Sequence, residues 1–281
     1  MRARIAHISD LHFGRVDPSA VAALAGDLRE RAPDLVVVSG DLTQRARTHQ
    51  FQEARAFLDS LERPVLVVPG NHDVPWHDLP GRFFGPHGRF RRLIAPDLRP
   101  VARSDGLVVA GLPTSRAVVP HWNWSLGHIS TSGAKRVAEV FRLHPGPGLR
   151  VLVTHHPLTP VAGWGARHVA FNADRALDIL AGARVDLLLA GHVHVSGAGP
   201  VALPGGWTAL SVQAASAVST RLRGEPNAYN LLDLTPAGLT VQVRRWRVGQ
   251  AAFDDGAHAH FVRTDRGWHA PPGEGVQCDP H

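Results

Sequence analysis

Five short segments of the chain carry residue types that hold metal ions. They are Asp10-Leu11-His12, Gly40-Asp41, Gly70-Asn71-His72-Asp73, His155-His156-Pro157 and Gly191-His192-Val193-His194. Pooled, the candidate ligands are Asp10, His12, Asp41, Asn71, His155, His192 and His194. Carboxylate, amide oxygen and imidazole together suit borderline first-row ions such as Mn, Fe or Zn. The absence of thiolates among them argues against a structural zinc cage. These donors are too many for one tetrahedral ion and suit two ions that share one donor. Asp41 is the natural bridge, because a carboxylate can span two metals about 3.5–4 Å apart. Two divalent ions and two carboxylates leave a formal charge of about +2, which attracts an anionic phosphate ester and activates water against it.

Four of the five segments directly follow an apolar run. Residues 4–8, 35–38, 65–68, 151–154 and 187–190 read as short strands buried on both faces. In open α/β sheets ligands gather beyond the carboxyl ends of such strands. If extended geometry persists past the strand ends, Asp10 and His12 project the same way, as do His192 and His194. Gly40, Gly70 and Gly191 stand immediately before their candidate ligands, where a sharp turn or a close backbone approach excludes a Cβ. Helical spacing covers 20–31, 50–61, 131–143 and 172–181, the last with a cap near Asn172. Beyond Val195 the texture changes to strands at 198–203, 207–213, 228–234 and 239–247, read as an antiparallel run sharing the core of the βα units.

Composition bounds the rest. The 281 residues carry a net charge of +6, almost all of the cations being Arg, with Lys135 the single lysine. The Arg groups at 89–92 and 244–247 are too short for a nucleic-acid patch, so mild attraction of anionic substrates is the inference. Cys278 is the one cysteine, which excludes an intrachain disulfide. No run reaches the roughly 18 apolar residues of a membrane span, and Met1 to Ile8 lacks a signal-peptide core. A cytoplasmic protein with no membrane span is expected. Of the 18 histidines, His7, His49, His77, His87, His121, His128, His144 and His168 are expected on the surface or in loops. His258, His260, His269 and His281 are expected in a weakly structured tail.

The ordered set of motifs resembles the calcineurin-like metallophosphoesterase superfamily over about residues 4 to 195. His155-His156-Pro157 followed by Gly191-His192-Val193-His194 resembles its bacterial branch of class III cyclic nucleotide phosphodiesterases and glycerophosphodiesterases. The resemblance implies an α/β fold, a four-layer α/β/β/α sandwich with mixed sheets. It fills residues 1–266 as one domain, with a Pro/Gly-rich tail at 267–281. It implies that Asp10, His12, Asp41 and His194 hold one metal ion, and Asp41, Asn71, His155 and His192 the other. His156 would stand behind the ligands. His72 would contact the phosphoryl group and help the leaving oxygen depart.

One departure matters. Protein phosphatases of the superfamily carry G-D-x-x-D-R, whereas this chain reads Gly40-Asp41-Leu42-Thr43-Gln44-Arg45. Gln44 replaces the Asp that orients the catalytic histidine, which leaves open what orients His72 and argues against a protein-serine/threonine phosphatase. Arg45 is a candidate phosphate contact. Trp76, Trp122, Trp124 and Trp164 either stack on a nucleobase or cover an alkyl leaving group, or simply pack loops onto the body. Arginines in the 220–225 stretch either hold a second phosphate or occupy a solvated turn.

The expected activity is hydrolysis of a small phosphodiester, a 3′,5′-cyclic nucleotide first and a glycerophosphodiester next. The alternatives are a UDP-diacylglucosamine pyrophosphatase or phosphomonoesterase, and a non-catalytic scaffold on the same fold. The pyrophosphatase would need an acyl-binding cap, for which no amphipathic helical insert stands out. The scaffold would be expected to lose ligands or the His72 equivalent, and both are present.

Overall fold

The computed structural model describes residues 2–271 apart from positions 120, 145, 147 and 164. Its chain runs β1 (Ala3–Ile8), α1 (Pro18–Arg31), β2 (Leu35–Val38), α2 (Thr48–Ser60), β3 (Val65–Val67) and two short helices, α3 (Leu79–Phe84) and α4 (Gly88–Leu93). It continues as β4 (Val101–Ser104), β5 (Leu107–Gly111), α5 (Thr131–Arg142), β6 (Leu149–Val153), α6 (Ala173–Ala181) and β7 (Leu187–Ala190). The last strands are β8 (Gly197–Ala202), β9 (Thr208–Gln213), β10 (Ala228–Leu234), β11 (Gly238–Arg247), β12 (Ala252–Thr264) and β13 (Gly267–His269).

Local chemistry sets the helix ends. The Asp17 carboxylate caps α1 by accepting from the Ser19 and Ala20 N–H groups, with Pro18 in the first turn. Ser130 caps α5 by accepting from the Gly133 N–H at 3.0 Å. Asn172 does precede α6, but in a left-handed conformation with no side-chain cap bond.

Both β2 and β7 are buried along their whole length, as unbroken apolar runs require. One face of the first half-sheet places Ile5, Val37 and Val241 against Val109, Val151 and Leu187 of the second. The outer face of the first half is covered by α1 and α2 through Leu24, Leu28, Phe51 and Phe57. The outer face of the second is covered by α5 and α6 through Val137, Phe141, Leu177 and Leu180. The layering is helix, sheet, sheet, helix, with mixed parallel and antiparallel pairing.

Four expectations need correction. The strands past Val195 are not purely antiparallel: β9 runs parallel to β7. The tail does not begin at Gly267, because β13 pairs with β12 and, through Gly267, with Thr208 of β9, joining the two half-sheets into one hydrogen-bonded path. Trp268 drives this closure: its indole is fully buried and Nε1 donates to Asp186 Oδ1 at 3.1 Å. His258 and His260 belong to β12, where they point outward between the buried Ala259 and Phe261. Finally, α3 and α4 form a helical insert between the Asn71-His72 loop and β4, with Leu79, Phe83 and Phe84 exposed. Trp164, Cys278 and His281 lie outside the described residues. Among the described residues no helix is long and apolar enough to cross a membrane.

Candidate metal centre

The five motif segments meet at one end of the sandwich, but not by extended geometry. Asp10, His12, Asp41, His192 and His194 all have positive φ, between 51° and 71°. Alternating strand direction therefore does not explain how the D-x-H and H-x-H pairs converge; each pair sits on a left-handed twist. Such conformations cost free energy in a non-glycine residue and persist only where neighbours enforce them. Here the loops brace one another. Asp10 N–H donates to the Gly40 carbonyl at 3.1 Å, His12 N–H to the Asp41 carbonyl at 3.0 Å, and Gly191 N–H to the His155 carbonyl at 3.0 Å.

The glycines leave room for the donors themselves. Gly40 has φ +101°, and a Cβ there would stand 2.6 Å from His155 Nδ1. At Gly70 an added Cβ would strike the Asp41 carboxylate, and at Gly191 it would strike Ser9 and Asp10.

Two donor groups result, with Asp41 between them. In the first, Asp10 Oδ1 lies 3.0 Å from His194 Nε2 and 3.6 Å from His12 Nε2, and the two imidazole nitrogens are 3.3 Å apart. In the second, Asn71 Oδ1 lies 3.0 Å from His155 Nε2 and 3.1 Å from His192 Nδ1. Asp41 Oδ2 is 3.8 Å from His12 Nε2 and 3.5 Å from His155 Nε2. Asp10 Oδ1 is buried without a hydrogen-bond partner, and imidazole nitrogens converge on it. That is the donor chemistry of a cation site, and the His/Asp clusters fit a metal centre.

The charges follow the same geometry. Burial opposes ionisation of Asp41, but the neighbouring His155 and His72 override it and hold the carboxyl well below its usual range. Burial also opposes a charged His155, yet the Asp41 carboxylate pushes it up to about 9. His156 goes the other way, to about 3, through burial and then the charge of His155.

His156 lies close enough to His155 and His192 to be taken for a ligand. Both its nitrogens are already engaged, Nδ1 with Thr114 Oγ1 and Nε2 with the Ser125 carbonyl, each at 2.8 Å. It therefore ties the Trp122–Ser125 loop to the centre, behind the donors.

His72 stands at the open side. Its main-chain N–H donates to Asp41 Oδ1 at 2.8 Å, and its ring Nδ1 bonds the Gln44 carbonyl at 2.8 Å. The group orienting His72 is thus the backbone of Gln44, which needs no Asp side chain at that position. Nε2 faces Arg221 Nη1 at 3.1 Å. In front of them opens a cavity of about 710 Å³, lined by Arg45, Asn71, Trp76, Trp122, Trp124 and Arg221 among others. Arg45 is exposed on this wall, and Trp122 is wholly exposed. Trp124 is half-buried, with the Arg82 guanidinium 5.2 Å above its ring and Phe83 edge-on at 6.3 Å. It both packs the loop and lines the cavity.

Several contributors escaped the sequence reading. Buried His7 bonds Ser39 Oγ at 2.9 Å and is pushed down to about 3 by burial, so its expected surface position is wrong. The Ser39 carbonyl in turn takes His155 Nδ1 at 2.8 Å. His168 Nδ1 meets His192 Nε2 at 3.3 Å instead of lying clear of the site. Asp73, the last residue of its motif, accepts from the N–H groups of Gly70, Leu42 and Thr43 and from the Thr43 hydroxyl. Burial and the nearby Asp41 charge push its carboxyl up to about 7 against the hydrogen bonds from Gly70 and Thr43. The only sequence signal was its place beside the candidate donors.

Asp73→Ala is expected to leave three buried N–H groups unpaired. At about 1–3 kcal/mol each, the loss should total roughly 3 kcal/mol or more, read as a fall in the denaturation midpoint. An unchanged midpoint would show that this bracing contributes little.

The profile of the calcineurin-like phosphoesterases matches residues 3–196, which contain all five motif segments. The chain belongs to the calcineurin-like phosphoesterase family. Members of this phosphoesterase family are hydrolases, and β8 to β13 lie beyond the matched part. The chain is 44% identical over 81 residues to the glycerophosphodiester phosphodiesterase GpdQ of Enterobacter lignolyticus, a match covering 25% of this chain and 29% of that protein. It is 26% identical over 206 residues to a probable cyclic nucleotide phosphodiesterase of Pseudoalteromonas, covering 68% of this chain and 71% of the relative. Among solved structures, a dimetal phosphatase from Danio rerio shares the fold with a TM-score of 0.63 at 16% identity, covering 86% of this chain and 96% of that one.

Proposed function

We propose that this chain hydrolyses a small phosphodiester at a dinuclear metal centre, with a 3′,5′-cyclic nucleotide the leading candidate. Asp10, His12, Asp41 and His194 hold one ion in this reading, and Asp41, Asn71, His155 and His192 hold the other. The observation that carries it is the placing of Asp41 between two buried donor groups, with His72 at their open side. Oxygen and imidazole donors suit Mn, Fe or Zn. When bound, such ions supply an activated water and take up charge on the phosphoryl oxygens.

The side chains do the rest. His72 keeps Nδ1 on the Gln44 carbonyl, which aims Nε2 into the cavity. A proton carried at Nε2 passes to the departing oxygen. The Trp76, Trp122 and Trp124 wall offers faces for a base, and Arg45 a cation for the phosphate end. The bacterial relatives, a glycerophosphodiester phosphodiesterase and a probable cyclic nucleotide phosphodiesterase, agree with this reading.

A second reading has its own support. Leu79, Phe83 and Phe84 of α3 leave apolar surface beside the tryptophan wall, Phe84 being 93% exposed. That surface suits an acylated substrate such as a UDP-diacylglucosamine.

The metal-loaded protein should cleave bis(p-nitrophenyl) phosphate in preference to p-nitrophenyl phosphate, and should cleave cyclic AMP. A marked preference for the monoester rejects the diesterase. No turnover on any ester with metals bound points to a scaffold.

A further inference from the structure

Arg221 lies outside the part of the chain matched to the family, in the segment between β9 and β10. Its main chain is fixed at both ends of the residue. The Arg221 N–H donates to Ser219 Oγ at 3.0 Å, and its carbonyl bonds His194 Nδ1 at 3.2 Å. The carbonyl thereby directs the other nitrogen of His194 toward Asp10. The side chain reaches on to His72, where Nη1 meets Nε2 at 3.1 Å.

That contact has only one chemical reading. A guanidinium is always a donor, so Nε2 of His72 is the acceptor and Nδ1 carries the proton given to the Gln44 carbonyl. While the guanidinium holds Nε2, that nitrogen is not available to a leaving oxygen. The guanidinium, for its part, makes one side-chain bond, to the His72 ring, and among the described residues no carboxylate forms an ion pair with it, although Asp41 and Asp10 attract it from a distance. Partial burial and the nearby Arg223 disfavour its charge. A phosphate oxygen pair would satisfy it far better, through two parallel charge-assisted bonds.

We propose that Arg221 is a phosphoryl-binding residue that rests on His72 Nε2 and transfers to the nonbridging oxygens of the substrate, freeing Nε2 to take up a proton from solvent and turn it toward the leaving oxygen. The proposal deepens the phosphoesterase reading and rests on it for the identity of the anion. The arginine serves as clamp and as shield: it holds the acid's nitrogen until an anion arrives. Arg45, exposed on the same wall, has no such contact with His72.

Inorganic phosphate is the direct probe. It is titrated calorimetrically into the metal-loaded wild type, Arg221→Gln and Arg221→Lys, with metal content measured on each. Arg221→Gln should bind phosphate about tenfold or more weakly at unchanged metal content, as loss of a charge-assisted contact predicts. Arg221→Lys, which keeps charge without the fork, should fall between. With bis(p-nitrophenyl) phosphate, Arg221→Gln should show a raised KM as well as lowered kcat/KM, and added guanidinium should restore part of the turnover of Arg221→Ala.

Equal phosphate affinity at equal metal content overturns the proposal. Loss of metal from both conservative variants overturns it too, since the residue would then act only by holding His194. A wild type that turns over no ester, yet binds phosphate tightly and loses that affinity in Arg221→Gln, removes the diesterase reading and leaves Arg221 in its assigned place.

Discussion

Asp41→Ala is expected to empty the centre of metal and to lower turnover by about 10³-fold or more, the cost of several kcal/mol of charge stabilisation. Asp41 Oδ2 is the oxygen placed toward both His12 and His155, and Oδ1 takes the His72 N–H. Its removal leaves each donor group with fewer oxygen atoms and cancels the negative charge that makes a cation favourable beside so many imidazoles. The Gly70 backbone, packed against that carboxylate, would border a void. Elemental analysis after reconstitution reads the result. Retention of both ions by Asp41→Ala would dismiss the shared-carboxylate arrangement. Thermal scans add a second reading: bound metal stabilises the wild type by mass action, about 2.7 kcal/mol at a hundredfold excess over Kd, and the variant should lose that dependence.

His72→Ala should behave oppositely, keeping its metal and losing about 10²–10⁴ in turnover. His72 lies near His12 and Asp41, so proximity alone would allow it to be a ligand. The hydrogen bonds argue otherwise: Nδ1 is turned to the Gln44 carbonyl and Nε2 to Arg221. The loss should depend on the leaving group. A p-nitrophenolate departs without a proton, whereas an alkoxide needs one, so the variant should be impaired far more on cyclic AMP than on bis(p-nitrophenyl) phosphate. Equal losses on both substrates would remove His72 from the proton-donor role. Loss of metal would make it a ligand instead.

The chain's local order determined a good deal. The runs at 35–38 and 187–190 are strands in the structure because consecutive β-branched and aliphatic residues suit burial on both faces. The motif residues after them meet because parallel strands deliver their carboxyl ends to one edge. The helices α1, α2, α5 and α6 follow from apolar spacing, and α1 and α5 also from the capping side chains of Asp17 and Ser130, signals that are local by nature. By contrast β12 has no apolar run, with Asp254, Asp255, Gly256, His258 and His260 in its length. Its strand conformation comes from pairing with β11, and that information is not in the segment. The same holds for Trp268, which becomes core only because Asp186 waits for its indole from 82 residues away.

Within the site the division is sharper. Residue type and spacing named the candidate donors, since donor chemistry is a property of the side chain alone. How they converge was decided by the tertiary structure: the left-handed backbone of Asp10, His12, Asp41, His192 and His194 is imposed by bonds between loops. So were the partners. The Gln44 carbonyl orients His72, Thr114 and Ser125 occupy His156, and Arg221 reaches His72 across 149 positions of sequence. A backbone carbonyl is present in every residue, so nothing in the letter Q marks it as the one that bonds an imidazole. Hydrogen bonds of that kind are set by where distant segments come to rest. Only the folded chain puts them in place.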